Sequence, residues 1–268
     1  IPSGPIGYAL RKKYGIPYVI RFGGGDIPGF QDRFAFLYKL IGPFLKVIWD
    51  HADALIANSE GLRKLALDFY DKNPVDIICN GVDTENFYPF TKNRNNHNFD
   101  DERINLLFVS RLIERKGLQF VIPKLKEIEK KSHKKIRLLI VGDGPYKEEL
   151  QRIAEMYDCM DKICFVGQKD KTELLPFYQQ ADIFILPSKK EGMPNVVLEA
   201  MACGLPIVMT PCEGSKELIS NNGMISSIDT FSDKVTMLCA NAALRQDMGR
   251  NSLSNIETVS YTHLRAHE

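Results

Sequence analysis

The sequence has no excess of either charge, no paired-cysteine motif and no long apolar run, and each absence closes a class of function. With 35 Lys and Arg against 34 Asp and Glu, the formal net charge is +1. No global field therefore draws the chain to nucleic acid or to an acidic surface, and charge-driven binding must be local. The six cysteines, Cys79, Cys159, Cys164, Cys203, Cys212 and Cys239, form no CxxC pair and no Cys/His spacing of a zinc site. Several lie in apolar runs, where thiols are commonly buried, and they read as free thiols of a reducing compartment. No run is apolar for the roughly 20 residues of a spanning helix. The first residues also lack the charged start and apolar core of a signal peptide, so the expectation is a cytoplasmic protein. At 44% hydrophobic and 26% charged residues the composition is that of a globular chain, which sets disordered and fibrous classes aside.

Both ends look unusual as sequence. The chain begins at Ile1 and enters a helix-like stretch, Tyr8 to Tyr14, almost at once, from which a truncated start is expected. At the other end Val259–Glu268 shows no apolar period and resembles a tail that recurs on unrelated predicted proteins. Residues 258–268 are accordingly read as non-native and left out of the fold argument.

Between the ends, β-branched runs alternate with helical patterns, the signature of βαβ units and parallel sheets. The first third predicts strands at Pro17–Arg21, Ala54–Ala57 and Val75–Ile78, with helices near Phe34–Trp49 and Glu60–Phe69. A polar, Asn-rich stretch then breaks the pattern, as an interdomain linker would. Beyond it come strands at Ile104–Ser110, Ile136–Val141, Ile163–Val166, Ile183–Leu186, Pro206–Met209 and Met224–Ser226. The fold class is α/β, with two Rossmann-like doubly wound domains. Residues 1–90 form a partial first domain, 91–102 the linker and 103–257 a complete second domain. Ligands of such sheets bind outside the carboxyl ends of the strands, so the informative loops follow Val109, Val141, Leu186 and Met209.

Those loops hold the unusual residues. Ser110-Arg111-Leu-Ile-Glu-Arg-Lys116-Gly117 places a rigid donor fork and a compact cation after a strand, which suits diphosphate oxygens. A solvated basic turn fits that spacing equally well. Gly142-Asp143-Gly144-Pro145 pairs glycines that let backbone approach a ligand with a proline suited to a helix's first turn; alone it is also an ordinary tight turn. The strongest run is Pro187 to Pro206, with Glu191 in the loop, Gly192 and Met193 next, Pro194 near the first helical position and Glu199 on the inward stretch of the helix. Amides around Asn195 and Val196 would offer an anion site with the helix dipole behind it. Taken singly, either glutamate could be a surface charge, but the loops of one sheet agree.

With these residues in place, the chain from about Tyr8 to about Ile256 resembles glycosyltransferase family 4, the retaining GT-B enzymes also called glycosyl transferases group 1. The marks are Glu191 and Glu199 separated by seven residues within PSxxEGxPxxxLEAMAxGxPIV, the Asn80–Asp83 turn followed by Phe87 and Pro89, SRLxxxKG at Ser110–Gly117, VGDGP at Val141–Pro145, FVG at Phe165–Gly167, and the Ala181-Asp182 pair. The resemblance implies a donor-binding second domain and an acceptor-side first domain. It implies that Arg111 and Lys116 hold the donor diphosphate and neutralise charge on the leaving nucleotide. Glu199 would bind ribose hydroxyls and Glu191 hydroxyls of the transferred sugar, with Gly142, Gly144, Gly192, Met193, Pro194, Asn195 and Val196 lining the donor site. The implied reaction moves a hexose-type sugar from a UDP- or GDP-sugar to a glycan or lipid-linked acceptor, as in polysaccharide or glycoconjugate synthesis at the cell envelope. The nucleotide sugar is a substrate, and neither cofactor nor metal is expected, since no DxD-type motif lies in a ligand loop. Retention could follow from double displacement, as in retaining hydrolases, or from reaction on one face with the leaving phosphate helping to deprotonate the acceptor.

One departure stands out. Many relatives carry a histidine after the strand equivalent to Pro17–Arg21, where this chain has Arg21-Phe-Gly-Gly24-Gly-Asp26. Gly24 and Asp26 are the nearest acceptor-side candidates, although a turn-capping aspartate explains Asp26 more simply. His51 reads as a packed or capping residue. The apolar stretch Phe34–Trp49, with two lysines, fits an interfacial helix in peripheral contact with the inner membrane face; a buried helix interrupted at Gly42-Pro43 fits it better. Two rival functions remain: a nucleotide-sugar epimerase of the same architecture, against which the SRLxxxKG and EGMPN runs speak, and a non-catalytic sugar-nucleotide-binding scaffold, supported by the missing histidine.

Overall fold

Short apolar runs in the first third of the chain build a parallel sheet. The computed structural model describes residues 3–31, 34–90 and 103–265, with side chains as far as Ile256; the expected linker, 91–102, lies outside the described residues. By chain contacts the protein divides into two units. The first is Ile1–Asn80 with Glu191–Met193 and Cys212–Glu217, and the second is Gly81–Lys190 with Pro194–Pro211 and Leu218–Glu268. The division thus falls at Asn80, ahead of the expected linker, and two segments from the expected donor domain count with the first unit.

The first unit contains α1 (Ser3–Tyr14), β1 (Val19–Phe22), α2 (Ala35–Asp50), β2 (Ala54–Ala57), α3 (Glu60–Phe69) and β3 (Val75–Ile77). Its strands run parallel in the order β1-β2-β3, with Val19 opposite Ala54 and Leu55 opposite Val75. Trp49 centres the core, its ring 4.6 Å from that of Phe22 and 5.1 Å from that of Phe69. The Ser59 hydroxyl starts α3 by accepting the Leu62 N–H at 3.3 Å. At the far end of α2, His51 is the capping residue, with its ring Nδ1 2.9 Å from the Val47 carbonyl oxygen.

Helix α2 departs from expectation. It is not interrupted at Gly42-Pro43 but continues through Pro43 to Asp50, since a proline deletes one rung of the ladder and tertiary packing can carry the remainder. Nor is it buried all round. Tyr38, Gly42, Leu45, Ile48 and Trp49 face the core, whereas Phe36, Leu40 and Phe44 are 82%, 72% and 51% exposed. Their spacing of four places them on one face.

The second unit contains β4 (Arg103–Val109), α4 (Leu118–Val121), α5 (Leu125–Ser132), β5 (Lys135–Val141), α6 (Lys147–Met156), β6 (Ile163–Gly167), α7 (Leu175–Gln180), β7 (Ile183–Leu186), α8 (Asn195–Ala202), β8 (Ile207–Met209), β9 (Gly223–Ile225), α10 (Phe231–Ala240) and α11 (Ala242–Arg265). A short helix, α9 (Ser215–Leu218), precedes β9. Each observed strand overlaps its predicted counterpart. Helix α11 continues to Arg265, into residues that the sequence reading had set aside. The six strands are parallel in the order β6-β5-β4-β7-β8-β9. The order reverses between β4 and β7, which makes their carboxyl ends the topological switch point where ligands of such sheets bind. Ile104 to Val109 are all buried, as expected of a central strand covered on both faces. The polar Asn105 among them is explained by its partners. Its N–H donates to Asp182 Oδ2 at 2.8 Å and its side-chain amide to the Gln180 carbonyl at 3.1 Å, so the Ala181-Asp182 pair fastens the start of β7 to β4.

Candidate functional site

The loops at the carboxyl end of the second unit's sheet are stitched to one another by backbone. Ser110 N–H donates to the Val141 carbonyl at 3.1 Å, Leu112 N–H to the Asp143 carbonyl at 2.8 Å, and Gly142 N–H to the Gly167 carbonyl at 2.8 Å. The approach is so close that only glycine fits. A Cβ at Gly142 would stand 2.0 Å from the Ser110 carbonyl oxygen, and one at Gly144 2.2 Å from that of Leu112. Both glycines also hold φ beyond +130°, at 135° and 157°. Their presence therefore answers a demand of loop against loop, in addition to the ligand approach expected from sequence.

The same device joins the β4 and β7 loops. Gly117, at φ 80°, lies where a Cβ would meet the Pro187 carbonyl oxygen at 1.9 Å. Lys189 N–H donates to the Arg115 carbonyl at 2.9 Å, and the Arg115 guanidinium to the Lys190 carbonyl at 3.0 Å. Arg115 is thus a brace, which leaves the exposed Arg111 and the half-buried Lys116 as the loop's candidate cations. On the other side, Thr210 Oγ1 donates to the carbonyls of Leu186 and Ser188.

Arg111, Gly142 and Gly144 line one cleft of about 510 Å³ together with Gln168, Lys169 and Leu174. The last three were missed in the sequence, although the FVG run just before them was noted, because Lys169 stands there among other charges that read as a solvated turn. Asn195 and Val196 stand in the first turn of α8, with Pro194 as its capping residue rather than its first helical one. Pro194 has no N–H to donate and presets the chain's entry into the helix.

Glu199 is the one charged residue of α8, whose residues Val197 to Ala202 are all buried. The carboxylate is 7% exposed and accepts the Tyr178 phenol at 2.7 Å on Oε2. Burial raises its pKa, opposed by that hydrogen bond and by the charge of Lys171. Tyr178 was not singled out by sequence; a tyrosine in an amphipathic stretch reads as core.

The remaining candidates belong to the first unit. Glu191, half-buried, and Gly192 accept the N–H groups of Glu213 and Gly214 on their carbonyls at 3.3 and 2.9 Å. The Asn80 side chain donates to the Met193 carbonyl at 3.0 Å. Asp26 caps its own turn, Oδ1 accepting the Gly23 N–H at 3.0 Å. Gly24, at φ 116°, sits where a Cβ would meet the Phe30 ring at 2.9 Å. Both therefore have sufficient structural reasons. Among the described residues, no three His, Cys, Asp or Glu side chains converge as a metal site would require, and no helix is long and apolar enough to cross a membrane.

Comparison with known proteins bears on the family and the fold. The family model for glycosyl transferases group 1 matches residues 89–254, and that for Glycosyltransferase Family 4 matches residues 1–86. An uncharacterized glycosyltransferase of Methanocaldococcus jannaschii is 26% identical over 255 residues, covering 93% of this chain and 66% of that protein. Sucrose-phosphate synthase from Thermosynechococcus elongatus superposes with a TM-score of 0.79 at 22% identity, over 99% of this chain and 72% of its own. Anabaena HepE, solved with UDP and glucose, gives a TM-score of 0.77 at 16% identity over 99% and 75%. The chain spans between 41% and 66% of the length of curated relatives it matches. With the switch-point loops, the two parallel sheets and both family models in agreement, this chain belongs to the group 1 glycosyltransferases and has their GT-B fold.

Proposed function

We propose that the protein is a retaining glycosyltransferase that moves a hexose-type sugar from a UDP- or GDP-sugar to a glycan or lipid-linked acceptor, without a metal. The observation that carries this reading is Glu199, a buried carboxylate in a helix that is apolar from Val196 onward apart from it, beside the switch point whose β4 loop bears Arg111 and Lys116. A buried carboxylate of shifted pKa is the mark of a functional-site candidate, and a ribose diol is a fitting donor pair for it. In this reading Arg111 and Lys116 neutralise the charge that grows on the departing diphosphate, the usual source of a large rate gain. Glu191 and the amides of Gly192 to Val196 hold the sugar and its phosphate, while Gln168 and Lys169 extend the cleft that Arg111 lines. The bond from the sugar's anomeric carbon to the diphosphate oxygen breaks and one to the acceptor oxygen forms, the acceptor's proton passing to the leaving phosphate. HepE, solved with UDP and glucose, supports a nucleotide sugar as donor.

The bare apolar face of α2, with Lys39 and Lys46 on the same helix, supports peripheral contact with the inner face of the cytoplasmic membrane, where lipid-linked acceptors of envelope polysaccharide synthesis reside. The test is release of free nucleotide from UDP-, GDP- and ADP-sugars by the full-length protein, with a cell-envelope extract as acceptor. Release that requires the extract and disappears in Glu199→Ala is the expected result. Binding without release under any acceptor would leave a scaffold, and conversion of the donor sugar without an acceptor would leave an epimerase.

A further inference from the structure

The contact between Tyr178 and Glu199 has more built into it than packing requires. The Tyr178 ring is fully buried, with the Phe87 ring edge-on at 5.6 Å and the Phe184 ring stacked at 6.0 Å. These two neighbours fix the ring plane, and the ring plane fixes the direction of the hydroxyl. A phenol has one hydrogen to give. Of its two acceptors, Glu199 Oε2 at 2.7 Å is the close one and the Val196 carbonyl at 3.4 Å the distant one. Among the described residues no other protein donor meets the Glu199 carboxylate, so one oxygen is engaged and the other keeps its lone pairs.

We infer that Tyr178 is a positioning residue for donor binding: its phenol fixes the rotamer of Glu199 and leaves Oε1 to receive the ribose hydroxyls of a nucleoside diphosphate sugar. The inference rests on the donor role of Glu199 proposed above. Its physical basis is that a buried carboxylate with no donor turns away or takes up a proton, and in either case becomes a poorer acceptor for the two hydroxyls of a diol. The groups that face Glu199 all bear on its charge. Tyr178 on α7 and Lys171 in the turn before α7 favour the carboxylate, while burial disfavours it. Cys203 at the end of α8 is pushed up to about 12, chiefly by burial and also by Glu199 itself, so it stays a neutral thiol. Lys171 is in turn steadied over the Phe87 ring at 5.7 Å, so one aromatic ring supports both groups that keep Glu199 charged.

Ionised Glu199 is the form that accepts ribose hydroxyls. Donor affinity is therefore present above its pKa and falls as pH drops through it. Removing the phenol hydrogen removes an influence that lowers this pKa, so the acid limb moves to higher pH. The experiment is calorimetric titration of the full-length protein with UDP and GDP from pH 5 to pH 8.5, for wild type, Tyr178→Phe, Glu199→Gln and the double variant. Phenylalanine keeps the ring and its packing. For the nucleotide that wild type binds, Tyr178→Phe is expected to weaken affinity about ten-fold at pH 6, the worth of a hydrogen bond to a charged group, and less at pH 8.5. In the Glu199→Gln background the same change should have little further effect. Site-specific 3-fluorotyrosine at 178, a stronger donor that keeps the ring, should move the limb the opposite way, and it gives a reading even if the phenylalanine variant does not fold. Superimposable pH profiles for wild type and both position-178 variants would overturn the inference, as would an undiminished Tyr178→Phe effect in the Glu199→Gln background. If wild type binds neither nucleotide, or Glu199→Gln binds as wild type does, the donor role of Glu199 itself falls, and that result is distinguishable from the others.

Discussion

Gly117 and Gly15 share a left-handed backbone, at φ 80° and 69°, but differ in what lies beyond the missing Cβ. At Gly15 nothing stands within 4 Å, whereas at Gly117 the Pro187 carbonyl oxygen would be 1.9 Å away. Alanine at Gly15 should cost only the left-handed strain, about 1 kcal/mol. Alanine at Gly117 must also part the β4 and β7 loops, and should cost roughly 3 kcal/mol or more. Urea melts of the two variants compare the effects directly, and equal losses would mean that the loops part freely. At the site itself, Arg111→Lys keeps the charge but loses the two-pronged geometry, so donor affinity should fall about ten-fold. Lys116→Ala should act mainly on turnover, by about a hundred-fold, if its charge is used as the diphosphate departs. A purely KM effect for Lys116→Ala would assign it to ground-state binding instead.

At the scale of elements, the helices divide their faces differently from what their sequences suggest. Helix α8 reads as an apolar segment and is buried accordingly, which is why Glu199 within it draws notice. Helix α2 is comparably apolar yet shows Phe36, Leu40 and Phe44 to solvent. Sequence pattern finds which residues share a face, but which face is covered depends on the neighbouring elements. If the bare face meets a membrane, Phe36→Ser with Leu40→Ser should reduce sedimentation with vesicles rich in anionic lipid about ten-fold or more. Nucleotide release into a soluble acceptor should stay unchanged, and equal sedimentation of wild type and variant would remove the membrane from the proposal. The loops tell the converse story. The strands from β4 to β9 were placed by their apolar runs, but the stitching of Gly142 to Ser110 and of Gly117 to Pro187 joins residues far apart in sequence, and no local pattern announces it.

For the molecule as a whole, buried thiols set an alkaline limit on stability. Burial pushes both Cys203 and Cys239 up to about 12, whereas a thiol in an unfolded chain ionises near ~8.5. Below that value both states hold the proton and the thiols have no effect. Between it and about 12 the unfolded chain loses protons that the folded one keeps, so stability falls with rising pH, by up to about 1.4 kcal/mol per pH unit for each thiol. Urea midpoints measured under reductant should therefore decline from pH 9 to pH 11. The decline should be shallower in Cys203→Ala with Cys239→Ala, and an unchanged slope would place the alkaline sensitivity elsewhere.

The sequence by itself determined the α/β class, the strand runs of both sheets, the family, and the run from Pro187 to Pro206 that carries the family's two glutamates. Those are properties of periodicity and spacing, and a strand's apolar run or a glycine–proline turn is written into a few adjacent residues. Tertiary structure alone decided the rest. It brought Gln168 and Lys169 to the cleft of Arg111, set Tyr178 against Glu199 across 21 positions of chain, made Arg115 a brace and uncovered one side of α2. The first three depend on which strands become neighbours at the switch point, and that order, β6-β5-β4-β7-β8-β9, is a consequence of how the elements pack rather than of any one segment.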